Sequence, residues 1–206
     1  MDLSIRKLSK AFNQKTVFTG LDFDLPSGAK LAIVGANGSG KSTLLKIISG
    51  GVLPSSGSIL YSRNNERIPE DQLYQYVHFV APYNTVIEEL TLPELFSLHK
   101  KLNTLQEFDS YKDWVGQLAY KYNPDHRIKT FSSGMKQRVK LGLTLLDNRP
   151  LILLDEACSN MDQQGREWFF QAVKALPRLR TLILATNDPE ERACCDEVLN
   201  IEDWSA

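Results

Sequence analysis

Apolar and polar residues alternate at two places near the start of the chain, at Leu3 and Ile5 and again at Leu21, Phe23 and Leu25 with Asp22 and Asp24 between them. A period of two predicts half-exposed strands, here a small antiparallel layer. Pro26-Ser27-Gly28 turns the chain into Leu31-Ala32-Ile33-Val34, a continuous apolar run suited to the buried centre of a parallel sheet. Thr43-Leu44-Leu45-Lys46-Ile47-Ile48 continues on helical spacing, and Pro54-Ser55-Ser56-Gly57 is expected to close that helix. Ser58-Ile59-Leu60-Tyr61 reads as a returning strand, Arg63-Asn64-Asn65-Glu66-Arg67 as a polar loop, and residues 76–80 as another strand. From about Pro82 to Asn148 the pattern is helical. Leu92-Pro93-Glu94-Leu95-Phe96 opens one helix, Trp114-Val115-Gly116-Gln117-Leu118 lies in another, and Val139, Leu141, Leu143 and Leu146 share a third. Strand-length runs return at 151–154 and 182–185, separated by a helix whose Trp168, Phe169 and Phe170 are expected in the core, and 198–201 is a last strand. The expectation is one α/β domain over 1–206, with a mainly parallel central sheet, a small N-terminal antiparallel layer and a helical subdomain inserted at about 82–148.

A net charge of −1 gives no global field that would favour nucleic acid or anionic lipid, and no nucleic-acid partner is expected. The apolar runs fall far short of the ~20 residues that cross a bilayer, and Met1-Asp2-Leu3-Ser4 does not open a leader, so the cytoplasm is the expected compartment. Cys158, Cys194 and Cys195 have no metal-ligand spacing and are expected as reduced thiols. His78, His99 and His126 are expected to be structural, and Lys100, Lys101, Lys136 and Arg138 to sit on solvated faces.

Between the strand at 31–34 and the following helix stands Gly35-Ala36-Asn37-Gly38-Ser39-Gly40-Lys41-Ser42, the spacing of a phosphate-binding P-loop in its proper strand, loop, helix context. The glycines let backbone N–H groups curl inward, and the helix after them turns its positive end to the same point. Asn37, Gly38, Ser39, Gly40, Lys41, Ser42 and Thr43 are therefore candidate nucleotide contacts, with Lys41 reaching the β- and γ-phosphates and Ser42 a bound magnesium. Kinases, GTPases and motor ATPases share such a loop. Two further features choose among them. The run 151–154 ends in Asp155-Glu156, where Asp155 would hold Mg2+ and Glu156 would polarise the attacking water, a role worth ~10²–10⁴ in rate. Phe131-Ser132-Ser133-Gly134-Met135-Lys136-Gln137-Arg138 combines hydroxyls, a glycine and a helix start, a second anion-reading arrangement.

At that second arrangement the chain resembles the ATP-binding subunits of ABC transporters, exporter-like in its Ser-x-Gly-Met-Lys-Gln-Arg form of the family signature Leu-Ser-Gly-Gly-Gln. The resemblance covers nearly the whole chain and implies the ABC ATPase fold. It implies Phe12, followed by Val17, against adenine, where the sequence alone leaves a core phenylalanine open as well, and Ser159-Asn160-Met161-Asp162 as the D-loop. It also implies a head-to-tail pair with a second copy or a related ATPase subunit. Each ATP would lie between Lys41 of one chain and Ser132, Ser133, Gly134 and Met135 of the other, beneath an integral membrane subunit docked near residues 82–98. A soluble ABC-type ATPase gating a macromolecular assembly is the alternative, and such proteins usually carry two cassettes or a long coiled-coil insertion. A small-molecule kinase would leave 132–138 unexplained.

Two positions depart from the family. Its glutamine at the junction with the helical subdomain falls near Ala81, with Asn84 the nearby candidate substitute, while Gln72 and Gln75 precede the strand. Its switch histidine is replaced by Asn187, which can donate a hydrogen bond but cannot titrate near pH 7. Since one lost donor typically costs ~10²–10³ in rate, tight ATP binding with slow hydrolysis is expected.

Overall fold

A computed structural model describes residues 1–13, 15–102 and 104–205. The elements in chain order are β1 (Asp2–Phe12), β2 (Lys15–Leu25), β3 (Lys30–Val34), α1 (Lys41–Ile48), β4 (Ser56–Arg63), β5 (Glu66–Ile68), β6 (Val77–Val80), α2 (Leu92–Lys101), α3 (Tyr111–Gln117), α4 (Ser133–Leu145), β7 (Leu151–Asp155), α5 (Gln163–Lys174), β8 (Thr181–Ala185), α6 (Pro189–Arg192) and β9 (Glu197–Asn200). They fall into two compact units. One comprises Met1–Ala81, Arg149–Glu156 and Pro177–Ala206, the other Pro82–Asn148 and Ala157–Leu176.

The first unit holds two sheets. An antiparallel sheet runs β2-β1-β4-β5, and a parallel one runs β6-β7-β8-β3-β9. In β1, strict alternation would send Leu8 outward after Leu3 and Ile5, yet all three are buried. A break in register between Ile5 and Leu8, with Lys7 at φ 45° and its N–H given to Asp22, adds the residue that restores Leu8 to the core face. The polar segment 63–67 is a hairpin rather than a loop. Asn64 and Asn65 both take positive φ, 53° and 66°, which a two-residue turn between twisted strands requires and asparagine tolerates. The parallel strands Leu151–Asp155 and Thr181–Ala185 are buried at every position, as strands covered on both faces must be. Helix α1 turns Leu44, Leu45, Ile47 and Ile48 inward and stops before the expected turn, because Gly50 at φ 77° closes it by donating to Ile47 O. Burial pushes the Cys195 thiol up to about 12.

The second unit gathers Leu92, Leu95, Phe96, Trp114, Leu118, Ile128, Phe131, Val139 and Leu143 into its own core. Thr91 and Glu94 form a reciprocal cap that starts α2, and Ser110 caps α3. Among the described residues, helices occupy less of 82–148 than the apolar pattern suggests, since the segments at 82–91, 104–110 and 118–132 have no long helix. Residues 157–176, α5 included, cluster with this unit: Phe169 is fully buried and Trp168 packs on the core while its indole N–H donates to Gln117 O at 2.7 Å. Arg138, expected on a solvated face, is only 2% exposed. Its guanidinium lies over the rings of Tyr120 and Trp168, 5.5 and 5.4 Å from their centroids, and donates to Ala119 O. Lys136, part-buried, pairs with Glu88 at 2.6 Å. Among the described residues, no helix is long and apolar enough to cross a membrane.

Candidate functional site

Within the first unit the loop between β3 and α1 is folded by its glycines. Gly35, Gly38 and Gly40 all have positive φ, and a Cβ on Gly40 would stand 2.5 Å from Val17 Cγ1. The loop therefore rests directly on β2 and can do so only without a side chain there. Gly40 is also the N-cap of α1 and supplies no side-chain acceptor, so the N–H groups of Lys41, Ser42 and Thr43 carry no cap. An anion fits that place.

Lys41 is mostly buried and folds back over the loop, its Nζ donating to Gly35 O at 2.6 Å and Ala36 O at 3.0 Å. The parallel sheet delivers the remaining candidates to the same end. Asp155, the last residue of β7, is 5% exposed, with the Ser42 hydroxyl on the side that favours its charged form. Burial pushes its carboxyl above the ordinary carboxylate range, against the pull of the Ser42 hydroxyl and the charges of Lys46 and Lys41. Hard oxygen donors from one serine and one buried aspartate suit a small divalent cation that takes its other ligands from phosphate and water. Glu156 follows in the left-handed region at φ 49°, an uncommon conformation for this residue, with its N–H bonded to Ala185 O and its side chain exposed to the cleft. Asn187, just beyond β8, donates from Nδ2 to Asn37 Oδ1 at 2.7 Å, so the residue at the switch position is tied to the phosphate loop.

An open cleft of about 660 Å³ joins the phosphate loop and Glu156 to Phe12 and Val17. Phe12 is 50% exposed, which excludes the core role that its residue type also allowed. Ala36, Asn37, Gly38, Ser39, Gly40, Lys41, Ser42, Thr43 and Glu156 line the same cleft. So do Lys15, Thr16, Glu202 and Ser205, which the motifs did not single out. Glu202 accepts from the Ala36 N–H at 3.2 Å. Its only sequence signal was proximity to the strand at 198–201, because β9 pairs beside β3 and brings the residues after it to the loop.

Ser132, Ser133, Gly134 and Met135 belong to the second unit. Ser132 Oγ accepts from the Met135 N–H and starts α4. A Cβ on Gly134 would lie 2.8 Å from Asn160 O, so this glycine lets the 159–162 segment close against the helix start. Asp162 caps α5 through the Gly165 N–H. Ala81 is buried in the first unit, and Asn84, in the second, accepts at its backbone carbonyl from Lys140.

Residues 18–159 match the protein family described as ABC transporter. The lipoprotein-releasing system ATP-binding protein LolD of Leptospira interrogans is 29% identical over 203 residues, covering 91% of this chain and 83% of its own. The thiamine import ATP-binding protein ThiQ of Haemophilus ducreyi is 35% identical over 182 residues, 84% of each chain. A dimeric ATP-binding cassette solved in a post-hydrolysis state with ADP and Pi superposes with a TM-score of 0.79 at 20% identity, over 97% of this chain and 94% of that one. With its phosphate loop, buried aspartate and adjoining glutamate at one end of a parallel sheet, this chain belongs to the ABC transporter family, as an ATP-binding and ATP-hydrolysing subunit.

Proposed function

We propose that the chain works as one of a head-to-tail pair, with a second copy or a related ATPase subunit, on the cytoplasmic face of a membrane beneath an integral membrane subunit. The Ser-Ser-Gly-Met-Lys-Gln-Arg run at 132–138 supports an exporter-type role. In this reading Lys41 leaves the loop carbonyls for the β- and γ-phosphates, and the N–H groups at the start of α1 hold the remaining phosphate oxygens. Ser42 and Asp155 would hold Mg2+, which would supply neutralisation of phosphate charge. Glu156 polarises the attacking water. Phe12 and Val17 take the adenine and ribose end, and Ser132, Ser133, Gly134 and Met135 of the other copy close the site over the γ-phosphate.

Asn187 donates one hydrogen bond toward the γ-phosphate but cannot exchange a proton near neutral pH, and Ala81 contributes no polar group. Binding is therefore strong and turnover slow. The single observation that carries this reading is the meeting of the uncapped start of α1, Lys41 folded over the loop and the buried Asp155 at one end of the parallel sheet. Its test is the Glu156→Gln form with ATP and magnesium. We expect it to shift from monomer to dimer in size-exclusion chromatography with light scattering, and to co-purify from membranes with an integral protein in fixed ratio. Glu156→Gln combined with Lys41→Ala should stay monomeric. A Glu156→Gln chain that remains monomeric with ATP, or that co-purifies with ribosomes, would refute the reading.

A further inference from the structure

Phe12 and Lys10 stand two apart on β1. The Lys10 ammonium lies 4.6 Å from the centroid of the Phe12 ring, over one of its faces. It is fixed there by a second contact, donating at 2.7 Å to the carbonyl of Leu53. Phe12 lines the nucleotide cleft, and Lys10 lies outside the described residues that do. The ring is thus occupied on one side by a cation and half exposed to the cleft.

We propose that Lys10 is a positioning residue for nucleotide: it pins the Phe12 ring upright and, by drawing π density toward its own side, makes the opposite face a better partner for an electron-rich purine. This rests on the reading of Phe12 as the adenine platform and adds a second layer behind it. Two physical effects act together. The half-exposed ring loses rotational freedom before the base arrives, so less must be given up on binding. A cation over one face of an aromatic ring contributes modestly at an exposed site, and the base stacks on the polarised face without displacing it. Lys15, opposite Phe12 on β2, lines the cleft itself.

The experiment is calorimetric titration of the full chain with the magnesium salt of a non-hydrolysable ATP analogue and, separately, with inorganic tripolyphosphate. Phe12→Ala should weaken the analogue at least about fivefold, the range of a base stacked on an aromatic. Lys10→Met, which keeps the aliphatic stem, should weaken it by about two- to fivefold. In the Phe12→Ala background the same change should have no further effect, and Lys10→Arg should stay within about twofold of the parent. Tripolyphosphate, which has no base, should bind all four variants alike. If Phe12→Ala leaves the analogue's affinity unchanged, the platform reading is what has failed. If Phe12→Ala weakens it while Lys10→Met does not, or if the two losses simply add, the role given to Lys10 is wrong and the platform stands. Equal loss for both ligands would make Lys10 a general positive charge and overturn the proposal.

Discussion

Replacing Asp155 by asparagine separates what the carboxylate costs the fold from what it does for the ligand. Its carboxyl is held above the ordinary range chiefly by burial, so the folded chain binds that proton more tightly than the unfolded chain does. Unfolding stability from this group is therefore fully present below the unfolded value and is lost as pH rises through the folded one. At pH 8 the native state bears the cost of a buried charge, offset in part by the Ser42 hydroxyl and the charges of Lys46 and Lys41. Asp155→Asn keeps an oxygen that can accept from Ser42 and removes the charge. Without nucleotide at pH 8, the variant should unfold at a higher temperature than the parent, and the margin should narrow as pH is lowered toward the folded value. The ligand acts in the opposite direction. At a hundred times its dissociation constant, magnesium-ATP should stabilise the parent by about 2.7 kcal/mol, or about 5–11 °C for a chain of this length. Asp155→Asn should gain only what ATP gives in EDTA. Thermal unfolding followed by intrinsic fluorescence, with and without magnesium, reads both effects. An unliganded variant less stable than the parent at pH 8 would show that the carboxylate is net favourable where it lies. A full magnesium-dependent gain in the variant would remove Asp155 as the metal ligand.

Asn187→His should raise turnover in the assembled complex by roughly tenfold or more and should introduce a dependence on pH around ~6.5. Phosphate release across pH 6–8 checks this, and an unchanged or slower rate would count against the account of Asn187. Arg138→Lys should lower Tm by about 4–8 °C, because an ammonium cannot stack its plane between Tyr120 and Trp168 and roughly 2 kcal/mol is lost. Circular dichroism melts would expose the error if the variant kept the parent's Tm.

Much of the first unit was legible because its signals are local. The fully apolar runs at 151–154 and 182–185 could only be central parallel strands, and the loop from Gly35 to Ser42 declared its chemistry by spacing alone. Other features were hidden because they depend on pairing or packing. Asn64-Asn65 looked like an irregular polar stretch, and became a hairpin because β4 had a partner to return to. Arg138 carried a charge that argued for solvent, but two aromatic rings distant in sequence made its burial tolerable. Glu202 had no motif of its own. It reached Ala36 through strand order, which no short-range pattern encodes.

That strand order has a consequence for how the chain is made. The phosphate loop hangs from β3, which is flanked by β8 and β9 and by nothing earlier in the chain. Ala36 and the carboxylate that holds it are 166 positions apart. At ~5–20 residues per second, translation leaves β3 without either neighbour for on the order of ten seconds after it is synthesised. During that time its apolar edges are open to wrong partners and the cradle has no support. The cradle has its full support only once the strands on both sides have arrived, so stabilisation by ATP is expected of the assembled sheet and not of a chain that still lacks β8 and β9.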